Sequence, residues 1–193
     1  MSFEALLVST GVVTLAEMGD KTQLLAFLLA ARFKKPLPII AGILIATILN
    51  HSLAGALGTW ITSLLSPELL RWVLGFSFLG MAIWTLIPDK IDEKEQPSTA
   101  AYGVFLTTLI TFFLAEMGDK TQIATVALAA NYTAPFTVVA GTTLGMLLAD
   151  VPAVFLGNSF AKRLPLKIIH IVAAGIFAIL GAMILFKVDQ LIT

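Results

Sequence analysis

Long apolar runs divide the sequence into six segments that are separated by short polar or charged stretches. A membrane-spanning helix needs about 20 mostly apolar residues, and every one of these segments reaches that length. The first and fourth segments are longer than one crossing requires, so we expect each of them to be tilted or broken. The predicted helices run from Phe3 to Ala31, Pro36 to Leu64, Pro67 to Ile87, Ala100 to Ala130, Pro135 to Gly157 and Pro165 to Phe186.

The composition points to the same class of protein. Apolar residues make up 58% of the 193 residues and charged residues only 12%, whereas about a quarter of a soluble domain is charged. Lys plus Arg balance Asp plus Glu at 12 each, which leaves no basic surface for nucleic acid. The chain has no Cys, which excludes disulfides, Cys-ligated zinc, iron–sulfur clusters and thiol catalysis. We therefore predict an all-α polytopic membrane protein.

Basic residues lie mainly in the first, third and fifth loops of this pattern. Cytoplasmic loops of membrane proteins carry an excess of Lys and Arg. We therefore expect these three loops to be cytoplasmic and both termini to lie outside. The residues on the predicted cytoplasmic side are Arg32, Lys34, Lys35, Lys90, Lys94, Lys162, Arg163 and Lys167, against Arg71 and Lys187 on the other side.

A nine-residue sequence occurs twice: Leu15 to Gln23 is identical to Leu114 to Gln122, at an offset of 99 positions. Ala41-Gly42 recurs at the same offset. The chain is thus predicted to consist of two three-helix repeats, residues 1–88 and 100–193, joined by a charged cytoplasmic linker at 89–99. Because three crossings are an odd number, the second repeat enters the membrane from the opposite side. Inverted repeats of this kind are common in secondary transporters, which bind their substrate mid-membrane between the repeats.

Each copy of the motif places acidic and basic side chains inside an apolar segment. Glu17 and Asp20 are three residues apart, so they share one face of a helix. A charged side chain in hydrocarbon costs about 2.5–3.5 kcal/mol on insertion scales, which implies either a function or mutual neutralisation by ion pairs that pack the halves together. If the acids converge, two uncompensated negative charges remain, which one divalent cation or two protons would cancel. That sum counts Glu17, Asp20, Glu116 and Asp119 against Lys21 and Lys120.

The remaining polar residues of the segments extend the candidate site. Carboxylate, amide and hydroxyl oxygens suit Mg²⁺, Ca²⁺ or Mn²⁺ better than copper or zinc. His51 is a candidate proton relay, with a structural role as the alternative, and His170 is expected at the membrane interface. Lys21 and Lys120 are candidates for gating or charge balance. The candidate metal ligands are Glu17, Asp20, Gln23, Asn50, Glu116, Asp119, Gln122 and Asp150, the amides having helix–helix hydrogen bonding as an alternative role.

The two hexapeptides from Glu17 to Thr22 and from Glu116 to Thr121 resemble the Glu-x-Gly-Asp-Lys/Arg-Thr/Ser signature of a family of divalent-cation/proton antiporters. Bacterial members of that family are manganese exporters, and eukaryotic relatives supply manganese and calcium to the Golgi lumen. The resemblance covers the whole chain, and both copies match fully. It implies export of Mn²⁺, or of Ca²⁺, across the bacterial inner (plasma) membrane in exchange for protons. It also implies that the cation is bound by Glu17, Asp20, Glu116 and Asp119.

Two other functions stay open at this point. An intramembrane metal-dependent enzyme could use the same carboxylates, but the sequence offers no nucleophile-and-base pair and no Arg cluster for phosphate. A passive divalent-cation channel would usually obtain its acidic ring from subunit symmetry rather than from one duplicated chain. We therefore predict a transporter that is not an enzyme and carries no cofactor. Its predicted partners are the divalent cation, protons and the lipid bilayer, and a homo-oligomer is compatible with the sequence.

Overall fold

The computed structural model describes residues 2–87, 103–156 and 165–187, and the structural statements below refer to these stretches. The predicted linker at 89–99 lies outside them, as do four of the basic loop residues, Lys90, Lys94, Lys162 and Arg163. Within the described stretches the chain forms α-helices, which we number in chain order. They are α1 (Ser2–Glu17), α2 (Lys21–Phe33), α3 (Pro36–Leu64), α4 (Pro67–Thr85), α5 (Val104–Glu116), α6 (Lys120–Asn131), α7 (Pro135–Leu156) and α8 (Leu166–Leu185).

Four of the predicted segments are single helices with nearly the predicted limits. Helix α3 has the predicted bounds, and α4, α7 and α8 agree within two residues at each end. Proline begins α3, α4 and α7, at a position where the missing N–H costs no helical hydrogen bond. Ser66 caps α4, because its hydroxyl accepts a hydrogen bond from the Leu69 N–H at 3.4 Å.

The first and fourth predicted segments, which were expected to be tilted or broken, are each broken at the repeated motif. Helix α1 ends at Glu17 and α2 begins at Lys21, whereas α5 ends at Glu116 and α6 begins at Lys120. A glycine stands in each break, Gly19 with φ +87° and Gly118 with φ +77°. Glycine adopts such positive φ values without the clash that a Cβ would cause. The same nine residues therefore produce the same break in both halves.

Both second half-helices begin at an aspartate of the motif. Asp20 is the N-cap of α2, and its Oδ1 accepts a hydrogen bond from the Lys21 N–H at 2.8 Å. Asp119 is the N-cap of α6, and its Oδ1 accepts from the Gln122 N–H at 2.7 Å. Each break thus fixes an aspartate carboxylate at the start of a helix, where unpaired N–H groups favour a negative charge.

Three of the described helices are long and apolar enough for each to cross a membrane, namely α3, α7 and α8. Helix α5 is apolar but shorter, since it is interrupted at the motif. These helices support the membrane character that the composition predicts.

The main helix contacts join the first half of the chain to the second half. Helix α1 packs against α7, α5 packs against α3, and α4 packs against α8. At the α3–α5 crossing a Cβ added to Gly42 would lie 2.9 Å from the Phe105 carbonyl oxygen. At the α1–α7 crossing a Cβ added to Gly141 would lie 2.8 Å from the Leu6 carbonyl oxygen. Both residues of the second contact are related to those of the first by 99 positions, so the sequence repeat is also a repeat of contacts.

Candidate functional site

The two helix breaks bring carboxylates of both motif copies together. Glu17, Asp20 and Asp119 each offer an oxygen, and these oxygens all lie within 4.8 Å of one another. Glu17 is fully buried, and the two aspartates are 3% exposed. Several carboxylate oxygens at this spacing match the donor set that hard divalent cations take in proteins. We call these three residues the acidic cluster.

Glu17 is the member of the acidic cluster whose charge is least compensated. Neither of its carboxylate oxygens has a hydrogen-bond partner among the described residues. The same holds for both oxygens of Asp150, which is fully buried on α7. Burying an ionised carboxylate without a partner is expensive, so these oxygens require a cation or a proton.

Lys120 links the second break to the first. Its Nζ lies 3.7 Å from Asp20 Oδ1, and both side chains are buried. The same Nζ lies 3.5 Å from the Ile87 carbonyl oxygen and 6.0 Å from the centre of the Trp84 ring. Its counterpart Lys21 is only half-buried. The two lysines are equivalent in sequence but have different environments in this structure.

Glu116 is held by neutral side chains of α3. Thr47 Oγ1 donates to its Oε1 at 3.3 Å, and Asn50 Nδ2 donates to its Oε2 at 3.0 Å. His51 Nε2 lies 3.6 Å from Oε1, with both side chains fully buried. Thr47 is absent from the residues singled out in the sequence. Its spacing of three and four residues from Asn50 and His51 puts all three on one helix face, and that spacing is the signal for it.

The equivalent face of α7 cannot form this network. The residues 99 positions after Thr47, Asn50 and His51 are Met146, Ala149 and Asp150. The two motif glutamates therefore differ: Glu116 accepts hydrogen bonds from a polar helix face, whereas neither oxygen of Glu17 has a hydrogen-bond partner among the described residues.

Each motif glutamine forms one hydrogen bond within its own helix break and a second one to the long helix of the other half, α7 for Gln23 and α3 for Gln122. Gln23 Oε1 accepts from the Gly19 N–H at 2.9 Å, and Gln122 Oε1 accepts from the Gly118 N–H at 2.7 Å. The side-chain Nε2 of Gln23 donates to the Ala149 carbonyl oxygen at 3.0 Å, and that of Gln122 donates to Asn50 Oδ1 at 3.4 Å. These hydrogen bonds hold each glutamine against the glycine of its own motif, and the role of either glutamine as a cation ligand stays a prediction.

The predicted ligands thus fall into two groups. Glu17, Asp20 and Asp119 are in mutual contact range, and Glu116 and Asp150 are close enough to act on Glu17 electrostatically. The amides form the second group. Asn50 donates a hydrogen bond to Glu116, and Gln23 and Gln122 accept hydrogen bonds from the motif glycines. The coordination of a cation by any of these residues stays a prediction.

Comparison with known proteins gives a consistent result over almost the whole chain. The family model described as "Divalent cation/proton antiporter GDT1" matches residues 5–93 and 104–190. A protein of Vibrio cholerae serotype O1 named "Putative manganese exporter" is 53% identical over 177 residues, which cover 91% of this chain and 88% of that protein. GDT1-like protein 5 of Arabidopsis thaliana is 28% identical over 210 residues, covering 90% of this chain and 91% of that protein. No solved structure is significantly similar to the chain.

Proposed function

Because the chain belongs to the GDT1 family of divalent cation/proton antiporters, we propose that it exports Mn²⁺ from the cytoplasm in exchange for protons. The observation that carries the proposal is the acidic cluster, in which two separate helix breaks supply carboxylates to one buried position. Ca²⁺ is the second candidate cation, since it takes the same hard oxygen ligands.

The charges at the acidic cluster match a divalent ion. Its three carboxylates carry three negative charges when ionised, and the Lys120 ammonium beside Asp20 compensates one of them. The remaining two charges equal those of one Mn²⁺, provided that the neighbouring carboxyl groups of Glu116 and Asp150 carry protons. Protons that bind the same carboxylates would displace the cation, and this competition is the physical basis of exchange. Protonation from the outer side would then release the ion there.

We further propose that the chain crosses the membrane six times as two inverted three-helix repeats. The broken first and fourth segments support this, because discontinuous helices form the mid-membrane sites of many secondary transporters. The crossings at Gly42 and Gly141, which repeat at the 99-residue offset, support it independently. In this arrangement the first, third and fifth loops face the cytoplasm, and the protein resides in the plasma membrane.

Ion flux in proteoliposomes tests the proposal directly. We expect Mn²⁺ movement that speeds up with an imposed pH gradient and is accompanied by proton movement in the opposite direction. Parallel runs with Ca²⁺ and Mg²⁺ rank the cations. Flux of the same rate with and without the pH gradient would indicate a channel, and the absence of any divalent-cation flux from correctly inserted protein would contradict the proposal.

A further inference from the structure

His51 is a buried side chain whose hydrogen-bonding groups are unused. It lies on α3 with no exposed surface, and neither of its ring nitrogens has a hydrogen-bond partner among the described residues. Burying a polar group without a partner costs free energy, and most buried polar side-chain atoms in proteins are hydrogen-bonded. The imidazole ring therefore needs a partner that the described residues do not supply.

The His51 ring faces the glutamate of the second motif. Its Nε2 lies 3.6 Å from Glu116 Oε1, which is too long for a hydrogen bond. Metal–ligand distances of about 2.0–2.6 Å let two ligands of one ion lie about 3–5 Å apart. The spacing of these two atoms therefore suits a shared cation better than a direct hydrogen bond.

The surroundings of this pair hold the carboxylate and leave the ring unoccupied. Thr47 and Asn50 donate hydrogen bonds to the two oxygens of Glu116, at 3.3 and 3.0 Å, from the same face of α3 that carries His51. A carboxylate and an imidazole nitrogen are thus placed side by side, and both are fully buried. The position offers two different kinds of donor atom to an ion.

The sequence repeat gives this position a counterpart in the other half. At the 99-residue offset, His51 corresponds to Asp150 and Glu116 corresponds to Glu17. Glu17 belongs to the acidic cluster, and the oxygens of Glu17 and Asp150 are also buried without hydrogen-bond partners among the described residues. Transporters built from inverted repeats bind their ions where the two repeats meet, so a cation position at one motif glutamate implies an equivalent position at the other. The two positions differ in that one offers a nitrogen where the other offers a carboxylate.

A nitrogen ligand changes which cations bind well. Ca²⁺ and Mg²⁺ take oxygen ligands, whereas imidazole is a common ligand of first-row transition metals, to which Mn²⁺ belongs. An imidazole in place of an oxygen donor therefore weakens the binding of Ca²⁺ and Mg²⁺ relative to that of Mn²⁺. The acidic cluster offers carboxylate oxygens alone and lacks this means of discrimination.

We propose that His51 Nε2 and the Glu116 carboxylate form a second cation position, and that the imidazole makes the transporter prefer Mn²⁺ over Ca²⁺ and Mg²⁺. The ion occupies this position in a different step from the acidic cluster, because the charge balance at the cluster assigns a proton to Glu116. His51 is then a cation ligand rather than a proton relay. The inference rests on the proposed function, because it names a residue that selects the transported ion.

Cation selectivity in proteoliposomes tests this role. His51→Asn replaces the ring nitrogen by a neutral oxygen donor, and we expect the ratio of kcat/KM for Mn²⁺ to that for Ca²⁺ to fall at least about tenfold. Thr47→Val is the matched control, since it removes a hydrogen bond to Glu116 from the same helix face but leaves the imidazole in place. It should keep the parental ratio even where its affinity for both cations changes. A parental ratio in His51→Asn would overturn the inference, as would an equal fall of the ratio in both variants.

Electron paramagnetic resonance supplies a second readout, which does not require the His51 variant to fold. A histidine nitrogen bound to Mn²⁺ modulates the electron spin echo, and the modulation changes when ¹⁵N-labelled histidine replaces the natural isotope. We expect this signal at saturating Mn²⁺ in Glu17→Gln, where the acidic cluster is weakened and the second position is intact. It should persist when His170, the other histidine of the chain, is replaced by Gln. Absence of histidine coupling in both the parent and Glu17→Gln would overturn the inference.

The two proposals fail in different ways. A correctly inserted parent protein that moves no divalent cation contradicts the proposed function. A parent that exchanges Mn²⁺ for protons, but distinguishes Mn²⁺ from Ca²⁺ no better than His51→Asn does, contradicts only the role of His51.

Discussion

Phe78 and Phe177 pack against each other with their ring centroids 6.2 Å apart, and each is the 99-residue counterpart of the other. A residue that contacts its own counterpart lies close to the axis that relates two repeats. This contact therefore puts that axis between α4 and α8, and both rings are almost fully buried there.

The first prediction concerns Glu17, the member of the acidic cluster with no hydrogen-bond partner among the described residues. Replacing Glu17 by Gln removes one negative charge while keeping the size of the side chain. We expect the apparent affinity for Mn²⁺ to fall at least about tenfold, equivalent to about 1.4 kcal/mol. Flux as a function of Mn²⁺ concentration in proteoliposomes measures this.

Glu4→Gln is the matched control for this change, because Glu4 is an exposed acid at the other end of the same helix. It should transport with the affinity of the parent. If Glu17→Gln bound Mn²⁺ with the affinity of the parent, Glu17 would not be a cation ligand. The charge argument for a divalent ion would then fail as well.

The second prediction concerns Glu116, whose carboxylate is held by Thr47 and Asn50. Glu116→Gln keeps a carbonyl oxygen for one of these donors but loses the charge and the exchangeable proton. We expect the variant to insert at parental levels and to lose protection of a manganese-sensitive host. Growth at graded Mn²⁺ concentrations, with membrane abundance measured alongside, is the readout. Full protection by this variant would argue against a role of Glu116 in exchange.

The third prediction separates the two motif lysines. Lys120 pairs with Asp20 inside the protein, whereas Lys21 is half-buried. Removing the Lys120 ammonium leaves the acidic cluster more negative, so a bound cation is held more tightly and leaves more slowly. We expect Lys120→Met to lower both KM and the maximal flux for Mn²⁺, with a smaller effect of Lys21→Met. Equal effects of the two substitutions would show that the environments seen in this structure do not govern the cycle.

Helix positions and the two breaks could be predicted from the sequence because they depend on local features. Proline at Pro36, Pro67 and Pro135 marks helix starts, and the excess length of the first and fourth segments indicates a tilted or broken helix. The proximity of Glu17 and Asp119 could also be expected from the sequence, because a duplicated motif in an inverted repeat implies a site shared by the two halves.

The partners of each acid could not be predicted in the same way. Identical motifs give no reason why Glu116 accepts hydrogen bonds from Thr47 and Asn50 whereas Glu17 accepts none from the described residues. The difference arises because those two donors lie on α3, and the repeat has diverged at the corresponding positions of α7. The contact between the His170 ring and the Met18 carbonyl inside the first motif could not be predicted either. Such contacts depend on how distant helices pack, which residue spacing does not encode.

The fourth prediction concerns the glycines at the helix crossings. A Cβ on Gly42 or Gly141 would come closer to a backbone carbonyl than real Cβ atoms do, so α3 and α5, or α1 and α7, would have to separate. Overpacking of this kind costs about 1–3 kcal/mol. We expect Gly42→Ala and Gly141→Ala to lower the unfolding temperature in detergent by similar amounts. Gly80→Ala, which adds a methyl in open space, is the control and should have little effect.

The last prediction concerns Gln23 and Gln122, the residues whose oxygens accept the N–H groups of Gly19 and Gly118. Substitution by Leu keeps most of the volume but removes the acceptor of the glycine N–H, and an N–H left unsatisfied in a buried position costs about 1–3 kcal/mol. Gln23 is almost fully buried and Gln122 only half-buried, so water can compensate the second loss but not the first. We expect Gln23→Leu to destabilise the protein more than Gln122→Leu in thermal unfolding. If the glutamines instead coordinate the cation, both variants would lose Mn²⁺ affinity with little change in stability.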